Sequence, residues 1–341
     1  MRESVRPEKI LFMIAGIAIV LGAMRVASGV LVPGLLALFI AIVCTEPMYW
    51  LTAKGIPRWM AILIVVLLLL AVSSLMPLVV SGSIVQFNQQ LPVYQERMDD
   101  LMFQSSEWLQ QFGYTSESLR TIFDPSALLA YVQVILGALG GILSSYLLIM
   151  LLVIFILIDL PRSLADGDTT PGQIIRTVQH YFAIKTFTSF LTGLIIAAWC
   201  IVMDVQYPFL WGFIAFLFNF IPTIGSVVAA IPAVLLALML NGLFSAVIVM
   251  IGYLVINFGI SNGLEPRIMG QQLGIRFVWI FVSLVVWGWI LGPVGMLLAV
   301  PLTMTFRIMF DNHEDTRWVA DILVPETQRV KSKAVNDNQL I

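Results

Sequence analysis

The chain of 341 residues is 60% hydrophobic and only 11% charged, whereas a soluble domain carries about 25% charged and 45–50% apolar residues. That composition sets aside the soluble enzymes and binding modules. The net charge of −2, with its Lys and Arg spread thinly, argues against nucleic acid as a partner. The apolar residues come in blocks long enough to cross a hydrocarbon layer of about 30 Å as helices, and they lack the alternation of a barrel strand. An all-α, polytopic membrane protein is expected.

In chain order, a basic start precedes a first hairpin, Ile10 to Met24 and Leu31 to Tyr49, joined through Arg25, Ser28, Gly29 and Pro33. The start has the look of a secretory signal, but the many spans that follow make it a retained first helix. After the polar break "EPMYWLTAKGIPR" a third helix covers Trp59 to about Val80. From Ile84 to about Val134 the character changes. Tyr94, Met98, Leu101, Ser105, Trp108, Leu109 and Phe112 recur at helical spacing among Glu96, Arg97, Asp99, Asp100 and Glu107, which predicts an amphipathic helical arm. A second arm helix is predicted from "DPSALLAYVQVI", with Asp124 as cap and Pro125 at the first helical position.

A fourth span is predicted from about Ile135 to Ile158, including Gly137 and Gly141 of "GALGG". A loop with Asp159, Arg162, Asp166, Asp168, Arg176 and Lys185 then leads to a fifth span, Phe187 to about Met203. Two apolar runs follow, Phe209 to Leu240 and Phe277 to Phe310, each too long for one ordinary crossing and short for two. Both are broken midway by Pro and Gly, at "NFIPTIGSVVAAIP" and "LGPVGMLLAVP", and both carry Trp-Gly before the break, a hint of an internal repeat. An ordinary span, Phe244 to about Ser261, separates them. The runs read either as re-entrant hairpins or as kinked single spans. Opposed hairpins leave only Arg25, Arg97 and Arg120 outside, and this favours the hairpin arrangement with both termini cytoplasmic.

The chain divides on this reading into an N-terminal hairpin and third span (1–83), an extracytoplasmic arm (84–134), a transmembrane transport region (135–310) and a cytoplasmic polar tail (311–341). Enzyme signatures are missing. His180 and His313 form no zinc pattern, no phosphate loop of Walker or dinucleotide type is present, and Cys44 and Cys200 read as small hydrophobes, so no catalytic residue, metal or cofactor is expected. Polar groups beside the broken helices are the candidates: Asn219, Thr223, Ser226, Asn257 and Asn262 to contact solute, and Glu265 to couple to a proton or cation. Amides both donate and accept, which suits a neutral polyhydroxylated solute better than an ion. Pro266 biases Glu265 toward extended backbone, so the helix is expected to end there and to free carbonyls near Asn262, with Arg267 pinning the loop on the cytoplasmic side.

"FIPTIGSVVAAIP", "NGLEPRIMGQQLG" and "WGWILGPVGMLLAVPL" closely resemble the three signature blocks of the autoinducer-2 exporter family. The resemblance implies an inner-membrane protein of about eight membrane segments. It also implies export of autoinducer-2 or a related small polar solute, and a homo-oligomer, with a pentamer as the family's expectation. Carried onto this chain, the motif positions are Pro222, Gly225, Pro232, Glu265, Pro266, Gly270, Gly292, Pro293, Gly295 and Pro301. Two rival readings are monovalent cation (Na+ or Li+)/H+ antiport, also assigned in the family, and a non-transporting membrane scaffold assembled through the arm. Lipid, solute or cation, and further copies of the chain are the partners these readings require.

Overall fold

The computed structural model describes residues 7–110, 130, 132–134, 136–137, 145–160, 169–222, 224–269, 276–312 and 316. Thr223, Gly270, Gly141, the start of the second arm helix and the tail from 317 on lie outside the described residues. Among the described residues the regular structure is entirely helical: α1 Pro7–Val26, α2 Ser28–Ala53, α3 Arg58–Gln110, α4 Tyr146–Asp159, α5 Thr170–Val202, α6 Pro208–Phe218, α7 Ile224–Phe258, a π turn Gly259–Leu264, α8 Glu265–Met269 and α9 Phe277–Asp311. Among the described residues four helical stretches are long and apolar enough to cross a membrane: Ser28–Ala53, Thr170–Val202, Ile224–Ile268 and Val278–Asp311. Arg58–Ser74, Tyr146–Asp159 and Pro208–Phe218 are shorter apolar helices. Large aliphatic and aromatic side chains cover the exposed faces, as a lipid solvent requires and water would penalise. The chain is a multi-pass helical membrane protein.

Three expectations need correction. The third span and the first arm helix are one continuous helix, α3, because no Pro or Gly cluster separates Val80 from Ile84 strongly enough to interrupt the backbone ladder. Arg176 and Lys185 are helical residues of α5 and not loop residues; Thr169 Oγ1 accepts from the Gly172 N–H at 3.3 Å and starts the helix there. The helix also does not end at Glu265, whose φ and ψ of −58° and −48° are helical and which opens α8.

The chain forms two compact units. The first comprises Met1–Ile62, Leu148–Ala183 and Met269–Ile341. Within it α1, α2 and α9 pack on one another. Gln179 Nε2 donates to the Ile42 carbonyl at 3.0 Å and to Thr45 Oγ1 at 2.7 Å, joining α5 to α2. Arg58 Nη2 donates to the carbonyls of Leu157, Ile158 and Leu160, which the end of α4 leaves without helical partners. The second long run folds back on itself. Ser283 Oγ donates to the Ala299 carbonyl at 2.9 Å and bonds Thr303 Oγ1, and Trp287 stacks on Phe306 with ring centroids 5.6 Å apart. In a straight helix residues 16 apart lie about 24 Å apart, so α9 is a hairpin. Its corner is Gly292, at φ 69° and ψ −151°, a backbone region that side-chain-bearing residues avoid.

The second unit comprises Leu63–Leu147 and Ile184–Ile268. Its core gathers Phe87, Tyr94 and Met98 of α3, Ile196 and Cys200 of α5, Trp211 and Ile214 of α6, and Ala233, Leu236 and Tyr253 of α7. The Tyr94 hydroxyl lies 2.6 Å from Gln90 Oε1, 2.7 Å from Gln206 Oε1 and 3.2 Å from the Tyr207 hydroxyl. Burial, and then the Tyr207 bond, raise this phenol well above its ordinary range, so it stays neutral and ties the arm to the loop before α6. The first long run breaks at the turn Asn219–Pro222, and a second corner, Gly242 with φ 85° and ψ 177°, separates it from the following span. At that second corner Asn241 Nδ2 donates to the carbonyls of Met203 and Asp204, at 3.3 and 3.1 Å, closing the end of α5.

Helices α5 and α6 approach closely where Gly193 faces Gly212. A Cβ built on Gly193 would stand 2.6 Å from the Gly212 carbonyl oxygen, and one on Gly212 would stand 2.6 Å from the Gly193 oxygen and 2.7 Å from Ala197 Cβ. Gly212→Ala is therefore expected to force these helices apart and to lower the thermal midpoint of the detergent-solubilised protein by several degrees. Gly34→Ala, where a Cβ meets nothing within 4 Å, should leave it unchanged or slightly raised. Scanning fluorimetry of the two variants checks this.

Candidate functional site

In the second unit one face of α5 carries a buried row of polar residues. Lys185, Thr188, Ser189 and Thr192 follow the 0, 3, 4, 7 spacing of a single helical stripe, and each is at most 4% exposed. A charged residue heading a row of hydroxyls inside an apolar helix must be answered by other polar groups. Lys185 is answered by Glu265. Its Nζ lies 2.8 Å from Oε1 and 2.9 Å from Oε2, with side-chain exposures of 5% for the lysine and 15% for the glutamate. The ammonium thus contacts both carboxylate oxygens of one buried ion pair.

The hydroxyls below it are also engaged. Thr188 Oγ1 donates to the Lys185 carbonyl at 3.2 Å and Thr192 Oγ1 to the Thr188 carbonyl at 2.8 Å. Ser189 Oγ accepts from Asn219 Nδ2 at 3.0 Å. Asn219 is the last residue before the first break, so the α5 stripe meets the interrupted backbone of the long run at this bond. Gly225, just past the break, packs against the Phe218 carbonyl so closely that a Cβ would overlap it. The result is a dense polar corner made by α5, the Asn219 turn and α8.

Of the residues predicted as solute contacts, the structure brings Asn219 to this corner, and Glu265 forms its charged end. Asn257 is buried on α7, and its Nδ2 donates to the Tyr253 carbonyl of its own helix at 2.8 Å. Asn262 is exposed, with its Nδ2 3.3 Å from the Phe258 carbonyl, and Pro266 and Arg267 are exposed beside it. Ser226 and Pro222 are partly buried next to the break, and Pro232 is buried within α7. Gly292, Pro293, Gly295 and Pro301 belong to the α9 hairpin of the other unit, where Gly295 sits against the Trp287 carbonyl much as Gly225 sits against Phe218. No group of three or more His, Cys, Asp or Glu is placed to hold a metal among the described residues.

Residues 10–315 match the family described as "AI-2E family transporter". The chain belongs to the AI-2E transporter family. It is 34% identical to a "Putative transport protein" of Haemophilus influenzae, over 95% of this chain and 98% of that one. It is also 34% identical to the "AI-2 transport protein TqsA" of Escherichia coli, over 92% and 95%, and 32% identical to that organism's "Putative transport protein YhhT", over 95% and 97%. In this AI-2E chain the α5 stripe escapes a reading of apolar windows, because Lys185 interrupts the window and makes the polar segment look like a loop. The signal that finds it is the spacing K-x-x-T-S-x-x-T, four polar residues on one face of an otherwise apolar helix.

Removing one member of a buried pair leaves the other uncompensated and costs about 3–5 kcal/mol, whereas removing both restores an apolar interior. Lys185→Met is thus expected to lower the thermal midpoint sharply, and Lys185→Met with Glu265→Met to recover most of the loss. Equal losses in the single and double variants would show that the two groups do not act as a pair.

Proposed function

We propose that this protein is a secondary transporter of the cytoplasmic membrane that exports autoinducer-2 or a related small polar solute, using the polar corner of the second unit. The observation that carries the reading is the Lys185–Glu265 pair at the head of a buried hydroxyl stripe, beside a broken helix. An intramembrane ion pair is expensive to keep and marks a pathway in transport proteins. The Escherichia coli relative named for AI-2 transport supports the solute class. On this reading Asn219, Thr223, Ser226, Asn257 and Asn262 contact solute, Glu265 couples its passage to a proton, and the Pro and Gly motif positions set the breaks.

The same reading takes both broken runs as re-entrant, giving about eight membrane segments with both termini cytoplasmic. It makes residues 84–134 an external arm, places the tail inside, and assigns assembly into a homo-oligomer to the first hairpin, α3 and the arm. The cation antiport reading is less well supported. The place on Glu265 that a sodium or lithium ion would take is held by an ammonium group contacting both carboxylate oxygens.

Proteoliposomes carrying the purified protein test this. Labelled autoinducer-2 is expected to move across the membrane, and Glu265→Gln, Lys185→Met and Asn219→Leu are each expected to slow it by about tenfold or more. Sodium-driven proton flux read by an internal pH dye, abolished in Glu265→Gln with no solute movement, would establish antiport in its place. Loss of every cellular phenotype on deleting residues 84–134, with Glu265→Gln silent, would establish the scaffold.

A further inference from the structure

Glu265 is followed by a proline, and a proline inside a helix both lacks its own N–H and presses its ring on the carbonyl four residues back, here that of Asn262. The chain nevertheless stays helical through Pro266 to Met269. The accommodation lies immediately upstream. Residues Gly259–Leu264 form a π turn, and the Glu265 N–H donates to the Ile260 carbonyl, five residues back, instead of to that of Ser261. Widening the turn is a way to relieve the contact between the ring and that carbonyl. Asn262 Nδ2 donates to the Phe258 carbonyl at the entrance to the same turn.

A bond to residue i−5 in place of i−4 stores one additional residue in the turn, and one residue is about 100° of rotation in a helix of 3.6 residues per turn. The side chain of Glu265 therefore points about 100° away from where an uninterrupted α register would send it. Its target is fixed, since Lys185 Nζ sits on buried α5 and meets both carboxylate oxygens. The neighbouring positions Asn262, Pro266, Arg267 and Ile268 are exposed, so a rotated Glu265 would turn away from Lys185. A π turn placed at the residue before a functional group is a recurrent device for aiming it.

We infer that Pro266 is a positioning residue: by imposing the π turn over Gly259–Leu264, it aims the Glu265 carboxylate at Lys185. The importance of that aim for export rests on the function proposed above, but the aim itself is measurable without any transport assay. The π turn holds one residue more than an α turn, so two changes that are each disruptive should cancel. Pro266→Ala lets the helix relax to the α register and turns Glu265 away. Deleting Gly263 as well removes the surplus residue and brings Glu265 back to its present direction on a regular helix.

The test compares three backbones: the native protein, Pro266→Ala, and Pro266→Ala with Gly263 deleted. In each, thermal midpoints are measured for Lys185→Met, Glu265→Gln and the two together. Strong non-additivity of the two substitutions is expected in the native backbone, its loss in Pro266→Ala, and its return in the variant that also lacks Gly263. Non-additivity as large in Pro266→Ala as in the native backbone overturns the inference. Should Pro266→Ala fail to fold, the doubly changed backbone decides, and additive midpoints there overturn it equally. Export of labelled autoinducer-2, measured on the same proteins, is expected to fall about tenfold in Pro266→Ala and to return when Gly263 is removed. Midpoints that follow the expected pattern while export stays constant would uphold the positioning role and overturn the use of the pair in transport.

Discussion

A helix crossing a membrane can satisfy its own backbone, but it cannot satisfy a charged side chain, and the second unit is organised around that requirement. Lys185 sits at 4% exposure on a helix of 33 residues that is otherwise largely apolar, so its ammonium needs a fixed anion within bonding distance. Glu265 supplies it at 2.8 Å. This single contact ties α5 to the end of the long stretch Ile224–Ile268, and it makes the placement of that end a matter of electrostatics as well as packing. A buried pair of this kind contributes little net stability compared with an apolar substitute of the same volume. Its retention is better understood as specifying one arrangement of two helices.

The same requirement explains why the breaks fall beside polar side chains. Interrupting a helix frees N–H and C=O groups that lipid cannot solvate. At the first break these are met by local turn bonds, from the N–H of Phe220 to the Leu217 carbonyl, of Ile221 to Phe218 and of Gly225 to Ile221, while the Asn219 side chain beside them donates to Ser189 Oγ. In the α9 hairpin, Ser283 donates to the carbonyl of Ala299 and so ties the two limbs together across the fold. Tight glycines follow in both cases, Gly225 against Phe218 and Gly295 against Trp287, so two stretches of different sequence use the same construction. The close approach of Gly193 and Gly212 completes it by letting α6 lie directly on α5, which brings Asn219 within reach of Ser189.

Much of the architecture was legible in the sequence because apolar length, Pro and Gly placement and charge are themselves the physics of membrane insertion. The two long runs, their midpoints and the amphipathic character after Val80 could be read in this way. Glu265 and Asn219 stood out because a polar group in an apolar setting is costly wherever the fold puts it. What escaped was pairing. Lys185 looked like a loop residue to any window that scores charge as an end of a span, and only its partner, 80 positions away, makes it a tolerable interior residue. The backbone at Pro266 was misread for a related reason. The rule that a residue before proline avoids the helical region describes an ordinary α turn, and here the turn is not ordinary. Local propensity does not specify a π turn; it arises when a proline must be kept inside a helix that has somewhere definite to go.

These two escapes are linked. A lysine buried on α5 demands a carboxylate in one direction, and the helix carrying Glu265 meets that demand only with an additional residue wound into the turn before it. Shortening the turn would give residues 259–264 ordinary helical bonding and leave Lys185 buried without its anion. Keeping it costs the poorer geometry of i−5 bonding over one turn, a far smaller quantity than the several kcal/mol per ion of unpaired burial. Pro266, whose ring an α turn would press on the Asn262 carbonyl, holds the register that makes the pairing possible. Because a π turn differs from an α turn by a single step of about 100°, the arrangement is not continuously adjustable. Glu265 either faces Lys185 or faces elsewhere.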